Sequence, residues 1–226
     1  MLRLGKFTRK ISLNYKNPVY AVKIDIKKFF DTIDHHILFK LLKERIKCRK
    51  TLNLLKIIIK SYQTKPNKGI PLGNVTSQLF GNIYLNPLDK FVKEKLFIKC
   101  YLRFCDDIIL VQEGLNFDVV LLVIGKFIQD NLKLNIKMGK VRKLKWGFDW
   151  LGYVILPYHR VLRTKTKRRM FRKLEENYQL LMADKITKLK YRQTLNSYLG
   201  LLQHCNSYKL EQRKNLFNLP DKSGII

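Results

Sequence analysis

The chain has 226 residues, 46% of them hydrophobic, enough for one large domain or two small ones around a real core, which excludes a disordered tail. Against 46 Lys and Arg stand only 17 Asp and Glu, a formal charge of +29 at pH 7. Such a chain repels itself unless a polyanion neutralises it, which makes nucleic acid the first partner to expect and an anionic membrane surface the second.

Apolar runs such as 119–124 fall far short of the roughly 18 residues that span a bilayer, so no membrane partner is expected. The stretch 1–20 is basic and lacks the apolar centre of a secretory signal. Cys48, Cys100, Cys105 and Cys205 form no CxxC pair and no zinc-spaced cluster. They predict reduced, mostly buried thiols in a cytoplasmic protein, without structural metal.

Taken in chain order, a basic arm over 1–18 leads into 20–26, where Val22, Ile24 and Ile26 alternate with Lys23 and Asp25, a strand pattern. Asp34 has the character of a helix cap before Ile37, Leu38, Leu41, Leu42 and Ile46, and 51–62 continues with a second helical stripe. The stretch 65–76 holds Pro66, Gly69, Pro71 and Gly73 and reads as a loop opening into a helix over 77–96, which Pro87 should kink or restart with Asn86 as cap. Two β-rich pieces, 99–104 and 108–112, flank Asp106-Asp107 as a hairpin; 118–132 is helical and 150–156 reads as a strand. From Arg163 onward, stripes at Met170, Leu174, Tyr178, Leu181 and at Leu195, Tyr198, Leu199, Leu202 lie among many Lys and Arg, a separate basic helical module. The last dozen residues are expected to fray.

In a chain this poor in acids, the carboxylates carry the most information. Asp25 lies inside an apolar strand, and Asp106 and Asp107 are adjacent like charges between β-rich segments, where Asp is disfavoured. A nearby cation must compensate them: a Lys or Arg, or divalent metal ions, which take hard oxygen ligands. Taken alone, Asp106-Asp107 reads equally well as the polar turn of a hairpin, and Asp25 as a residue on an exposed strand face.

The order of features resembles a polymerase. The stretch beginning Asp25-Ile26-Lys27-Lys28-Phe29-Phe30-Asp31 resembles motif A of reverse transcriptases, and Leu72-Gly73-Asn74-Val75-Thr76-Ser77-Gln78 with its following helix resembles the motif B loop. Tyr101-Leu102-Arg103-Phe104-Cys105-Asp106-Asp107 resembles motif C, and Trp150-Leu151-Gly152-Tyr153 the primer grip. An aliphatic residue before Gly73 and the Ser77-Gln78 ending resemble the enzymes of diversity-generating retroelements more than the QG…SP pattern of group II intron enzymes.

The resemblance implies an α+β fold: a palm over 19–158, built on an antiparallel sheet with flanking helices, followed by a helical thumb over 159–210 and a tail over 211–226. It implies an RNA-directed DNA polymerase using two Mg²⁺ ions, dNTPs, an RNA template and a DNA or RNA primer, with a small basic accessory protein as a further partner. Asp25 and Asp106 become primary metal ligands and Asp107 an auxiliary one. Phe30 becomes the ring that excludes a 2′-hydroxyl, with packing in the core as its other reading. Leu72 stands where other members carry a glutamine that touches the nucleotide, which implies low fidelity; its other reading is packing beneath the loop. Gly73 lets the backbone approach the base pair, Gln78 is a contact at the helix start, and Lys140 aligns with a lysine that protonates pyrophosphate. Leu151, Gly152 and Tyr153, together with Lys165, Lys167, Arg168, Arg169 and Arg172, are expected to hold the duplex through phosphates.

Two features depart from the pattern. Phe104 replaces the usual Tyr of motif C, and only 24 residues precede Asp25, where the family has its fingers. Lys6, Arg9 and Lys10 take no assigned role there, so the arm over 1–18 reads as a remnant of fingers in a fragment or a truncated chain. Two alternatives stay open: a group II intron or retron-type enzyme, and a non-catalytic nucleic-acid-binding remnant.

Overall fold

The computed structural model describes residues 2–14, 16–114 and 117–211. The expected tail over 211–226 lies outside these except for its first residue. Two compact units divide the chain, Met1–Lys143 and Leu144–Ile226. The fold is α+β, as the sequence implies.

The first unit is built on an antiparallel sheet of β1 (Val19–Ile26), β2 (Tyr101–Phe104), β3 (Asp107–Glu113), β4 (Ile136–Met138) and β5 (Arg142–Lys143), ordered β2-β3-β1-β4 with β5 also paired to β1. The alternation in β1 has its expected effect: Val22, Ile24 and Ile26 are buried on one face with Ile108 and Leu110 of β3. Over that face pack α3 (His35–Arg45), α5 (Val75–Lys90) and α6 (Phe117–Leu132), contributing Leu38, Leu42, Leu85, Leu88, Ile124 and Ile128 to one core; α4 (Arg49–Lys60) packs on α3. Each such side chain contributes about 1.5–3 kcal/mol on burial.

The opposite face is divided. The segment expected as a basic arm forms helix α1 (Leu2–Ile11), which packs against β3. Leu4 and Thr8 are buried and Phe7 and Ile11 half-buried, a helical stripe among basic residues that was present in the sequence. Val19, Ala21, Ile109 and Val111 are buried on this side, whereas Lys23, Asp25 and Asp107 at the other end reach solvent.

Asp34 caps α3 as expected, its carboxylate accepting from the amides of His36 (2.9 Å) and Ile37 (3.2 Å). Helix α5 begins at Val75, two residues before the expected start, and runs through Pro87 without a break. Just beyond it, Phe91–Lys95 widens into a π-helical turn. Tyr84, fully buried on α5, accepts from the Asp34 amide (3.2 Å) and donates to the Leu132 carbonyl (2.7 Å), tying the start of α3 and the end of α6 to the interior of α5.

In the second unit, 150–156 is not one strand. β6 (Phe148–Trp150) turns at Leu151-Gly152 into β7 (Tyr153–Ile155), which pairs with β8 (Arg160–Leu162). Both turn residues have positive φ, +48° at Leu151 and +85° at Gly152, the signature of a tight two-residue hairpin. The unexpected partner is Leu151, whose side chain hides the turn from a pattern reading. Helices α7 (Thr164–Met182) and α8 (Lys188–Leu202) pack together through buried Met170, Leu174, Tyr191 and Leu195, and α9 (Tyr208–Glu211) follows. None of the four cysteines forms a disulfide, and only Cys100 is buried: Cys48 is exposed, and Cys105 and Cys205 are half-buried because they sit in a turn and at a helix end. Among the described residues no helix is long and apolar enough to cross a membrane.

Candidate active site

Antiparallel pairing of β1 with β3 makes Asp25 and Asp107 direct cross-strand partners. Such partners have Cα atoms about 4.5–5.5 Å apart with side chains on one face. Asp107 is the first residue of β3, and the two-residue turn before it is Cys105-Asp106, with Cys105 at φ +53°. Asp106 stands in the turn and Asp107 in the ladder, so the pair is not a polar turn as a whole. Burial holds the Asp106 carboxyl above the usual carboxylate range, and the charges of Asp107 and Asp25 push it the same way, with Lys23 opposing. The Lys23 ammonium lies 2.5 Å from Asp107 Oδ1. Among the described residues, no three acidic, histidine or cysteine side chains stand close enough, as placed, to enclose one ion.

Phe30 lies in the short helix α2 (Phe29–Thr32), which follows Lys28 at φ +47°. Its ring meets buried Phe29 edge to face at 5.1 Å and is half-buried at the margin of the core. Gly81 of α5 makes room for both rings: a Cβ there would stand 3.0 Å from Phe29 Cε1 and 3.5 Å from Phe30 Cε1. The loop before α5 is strapped to this region, with Ile70 N donating to Phe30 O (2.9 Å), Gly69 N to Ile33 O (2.9 Å) and His35 N to Asn67 O (3.0 Å). At its tip Leu72 is 71% exposed, which rules out packing beneath the loop. Gly73 has φ +93°, and Gln78 is exposed on the first turns of α5.

Lys140 is exposed in the link between β4 and β5. Its neighbour Gly139 donates its amide to the Lys23 carbonyl at 2.7 Å. The β1 to β4 register places Lys137 directly opposite Asp25, so Asp25 has an acid on one side and a lysine on the other. Sequence reasoning passed over Lys137 because it is one of several lysines there and only the register separates them.

In the second unit, Leu151 and Gly152 are half-buried at their turn, whereas the Tyr153 ring is buried and its hydroxyl donates to the Leu201 carbonyl at 2.9 Å. Along α7, Lys165, Arg168 and Arg169 are exposed, Lys167 is half-buried, and Arg172 is exposed with its Nε 3.6 Å from Glu176. Also missed was Arg103, the middle of Tyr101-Leu102-Arg103-Phe104, which forms a fork to Asp89 with bonds of 2.9 and 2.6 Å. A cavity of about 760 Å³ in the first unit is lined by residues including Asn82, Asn86, Asp89 and Arg103 and contains none of the expected site residues.

Comparison with known proteins finds relatives of this chain. The COX1/OXI3 intron 2 protein of Saccharomyces cerevisiae is 27% identical over 199 residues, covering 59% of this chain and 23% of that protein. The group II intron-encoded protein LtrA of Lactococcus lactis is 40% identical over 79 residues, covering 32% of this chain and 13% of LtrA. This chain therefore spans less than a quarter of either relative. Telomerase from Candida albicans, solved in complex with a fragment of telomeric RNA, shares the fold at a TM-score of 0.57 and 14% identity, covering 95% of this chain and 42% of that one. The model of the family described as reverse transcriptase (RNA-dependent DNA polymerase) matches residues 3–155, and the chain belongs to that family.

Proposed function

We propose that this chain catalyses RNA-directed DNA synthesis, with Asp25, Asp106 and Asp107 as the acids of the reacting centre. The observation that carries the reading is the register that sets Asp25 beside Asp107, with Asp106 in the adjoining turn, on the open face of the sheet. Carboxylates are the hard oxygen donors that suit Mg²⁺, and burial, with the charges of Asp107 and Asp25 adding to it, raises the Asp106 pKa. When bound, two such ions would supply charge neutralisation of a triphosphate and activation of a primer 3′-hydroxyl.

The remaining roles belong to the chain's own residues. The primer 3′-oxygen bonds to the α-phosphorus as the bond to pyrophosphate breaks, and Lys140 supplies the proton to the leaving oxygen. Phe30, held by Phe29 and Gly81, lies under the sugar and selects dNTPs by excluding a 2′-hydroxyl. Gly73 and Gln78 contact the nascent pair, and Leu151, Gly152 and Tyr153 shape the support for the primer end. Lys165, Lys167, Arg168, Arg169 and Arg172 grip backbone phosphates of a template-primer duplex.

Two subtypes differ in their support. The intron-encoded relatives favour a group II intron-type enzyme. The exposed Leu72 in place of a polar anchor favours a low-fidelity enzyme of the diversity-generating kind, which would work in the cytoplasm with a small basic accessory protein. Error rates from sequenced products separate the two.

Primer extension on poly(rA)/oligo(dT) with Mg²⁺ tests the main reading. Asp106→Ala should lower extension by about 10²–10³-fold, the scale of losing one electrostatic partner of the transition state. Binding of the duplex with no extension by either protein identifies the non-catalytic remnant instead.

A further inference from the structure

Arg103 makes more contacts than an ion pair requires. Its Nε and Nη2 donate to the two oxygens of Asp89 at 2.9 and 2.6 Å, and its Nη1 donates to Asn82 Oδ1 at 3.0 Å and to the Cys105 carbonyl at 3.1 Å. Asp89 also accepts from the Tyr101 hydroxyl at 2.5 Å. The guanidinium side chain is only 10% exposed.

The geometry separates this cluster from the acids. Arg103 pairs with Ile108 and so projects toward the helical face, whereas Asp107 pairs with Phe104 and faces the other way. The guanidinium therefore holds the turn from behind the sheet, through the carbonyl of the residue just before Asp106. Both of its side-chain partners, Asn82 and Asp89, belong to α5, the helix that also carries Gln78 and the Gly81 against which Phe30 lies. One planar group thus joins the acidic turn to the element that supports the sugar-facing ring. Neutralising Asp89 alone would need neither Asn82 nor the Cys105 carbonyl, and a lysine ammonium cannot reach all three at once.

We propose that Arg103 is a positioning residue that locks the Cys105-Asp106 turn onto α5 and so sets where Asp106 and Asp107 stand relative to Asp25. The proposal rests on the polymerase reading for its consequence, but not for the clamp itself.

The test uses the full chain with Mn²⁺ as the probe metal, binding followed by electron paramagnetic resonance, alongside steady-state extension and metal-free amide exchange at Cys105 to Asp107. Arg103→Lys should keep the circular dichroism spectrum and a cooperative melt, weaken Mn²⁺ binding by about tenfold and lower kcat with little change in the dNTP KM, the usual scale for a residue that orients a ligand. Exchange at the turn should be faster. Asn82→Leu, which keeps the arginine and removes one anchor, should weaken Mn²⁺ binding by about threefold, less than the full worth of the charge-assisted hydrogen bond it removes because the other anchors remain. A folded Arg103→Lys protein with Mn²⁺ affinity, kcat and turn exchange all like wild type overturns the proposal. Should that variant not fold, an Asn82→Leu protein indistinguishable from wild type overturns it equally. If the wild type neither binds Mn²⁺ nor extends a primer, the polymerase reading fails, and turn exchange alone decides the clamp: faster in Arg103→Lys upholds it, unchanged removes it.

Discussion

Lys23 stands two residues before Asp25 on the same strand face and puts its ammonium on Asp107. An ammonium on Asp107 repels a metal ion approaching the same carboxylate, so this lysine competes with the cations the site is proposed to take. Replacing it should help the metal: Lys23→Met is expected to tighten Mn²⁺ binding by roughly two- to fivefold, the scale of a partly exposed ion pair. Equal or weaker binding in a titration followed by electron paramagnetic resonance would show that the two cations do not compete. The grouping of these acids was legible in the sequence because Asp25 and the Asp106-Asp107 pair are anions set among apolar, β-rich residues in an acid-poor chain. Lys23 and Lys137 were not, because a cross-strand neighbour is defined only once the register is known, and β1 is joined to β3 and β4 through long stretches of chain rather than through a tight turn.

Among the elements, α5 joins most of the first unit. Its Tyr84 hydroxyl serves the Asp34 amide ahead of α3 and the Leu132 carbonyl at the end of α6, both deep in the core. Tyr84→Phe keeps the ring and leaves both groups without a partner, which should destabilise the unit by about 1–3 kcal/mol in urea unfolding. A loss under about 0.5 kcal/mol would mean that other groups take over both bonds. Periodicity recovered β1, β3, α3, α4 and α6 closely, since each is long and shows a clear period of 2 or 3.6. It missed α1, where the apolar stripe is thin among basic residues, and β4, β5 and β8, each of three residues or fewer, too short to carry a period. The hairpin at Leu151-Gly152 carried its signal in Gly152 alone.

For the whole molecule, charge governs behaviour. A formal +29 makes association with nucleic acid depend steeply on salt. Arg168 and Arg169 are exposed neighbours on α7, set to meet phosphates rather than base edges. Changing both to Gln should weaken duplex binding equally for unrelated sequences and reduce the slope of log K against log salt by about one to two. An unchanged slope in filter binding would remove α7 from the contact surface. This level was the most legible of all, because charge balance is additive along the chain and needs no geometry. The division into units at Lys143 and Leu144 was less so: no Gly/Pro-rich linker marks it, and the strands around Trp150 fall in the second unit.

Gly139 has a consequence that reaches past its own hydrogen bond. A Cβ at this position would sit 2.6 Å from the Lys23 carbonyl oxygen, so no other residue of the chain from Ile136 to Lys143 can occupy it without displacing backbone. Sliding that ribbon by a single step would jam either Met138 or Lys140 into the notch. The glycine therefore acts as an indexing pin, and it keeps Lys137, rather than one of the many lysines around it, facing Asp25.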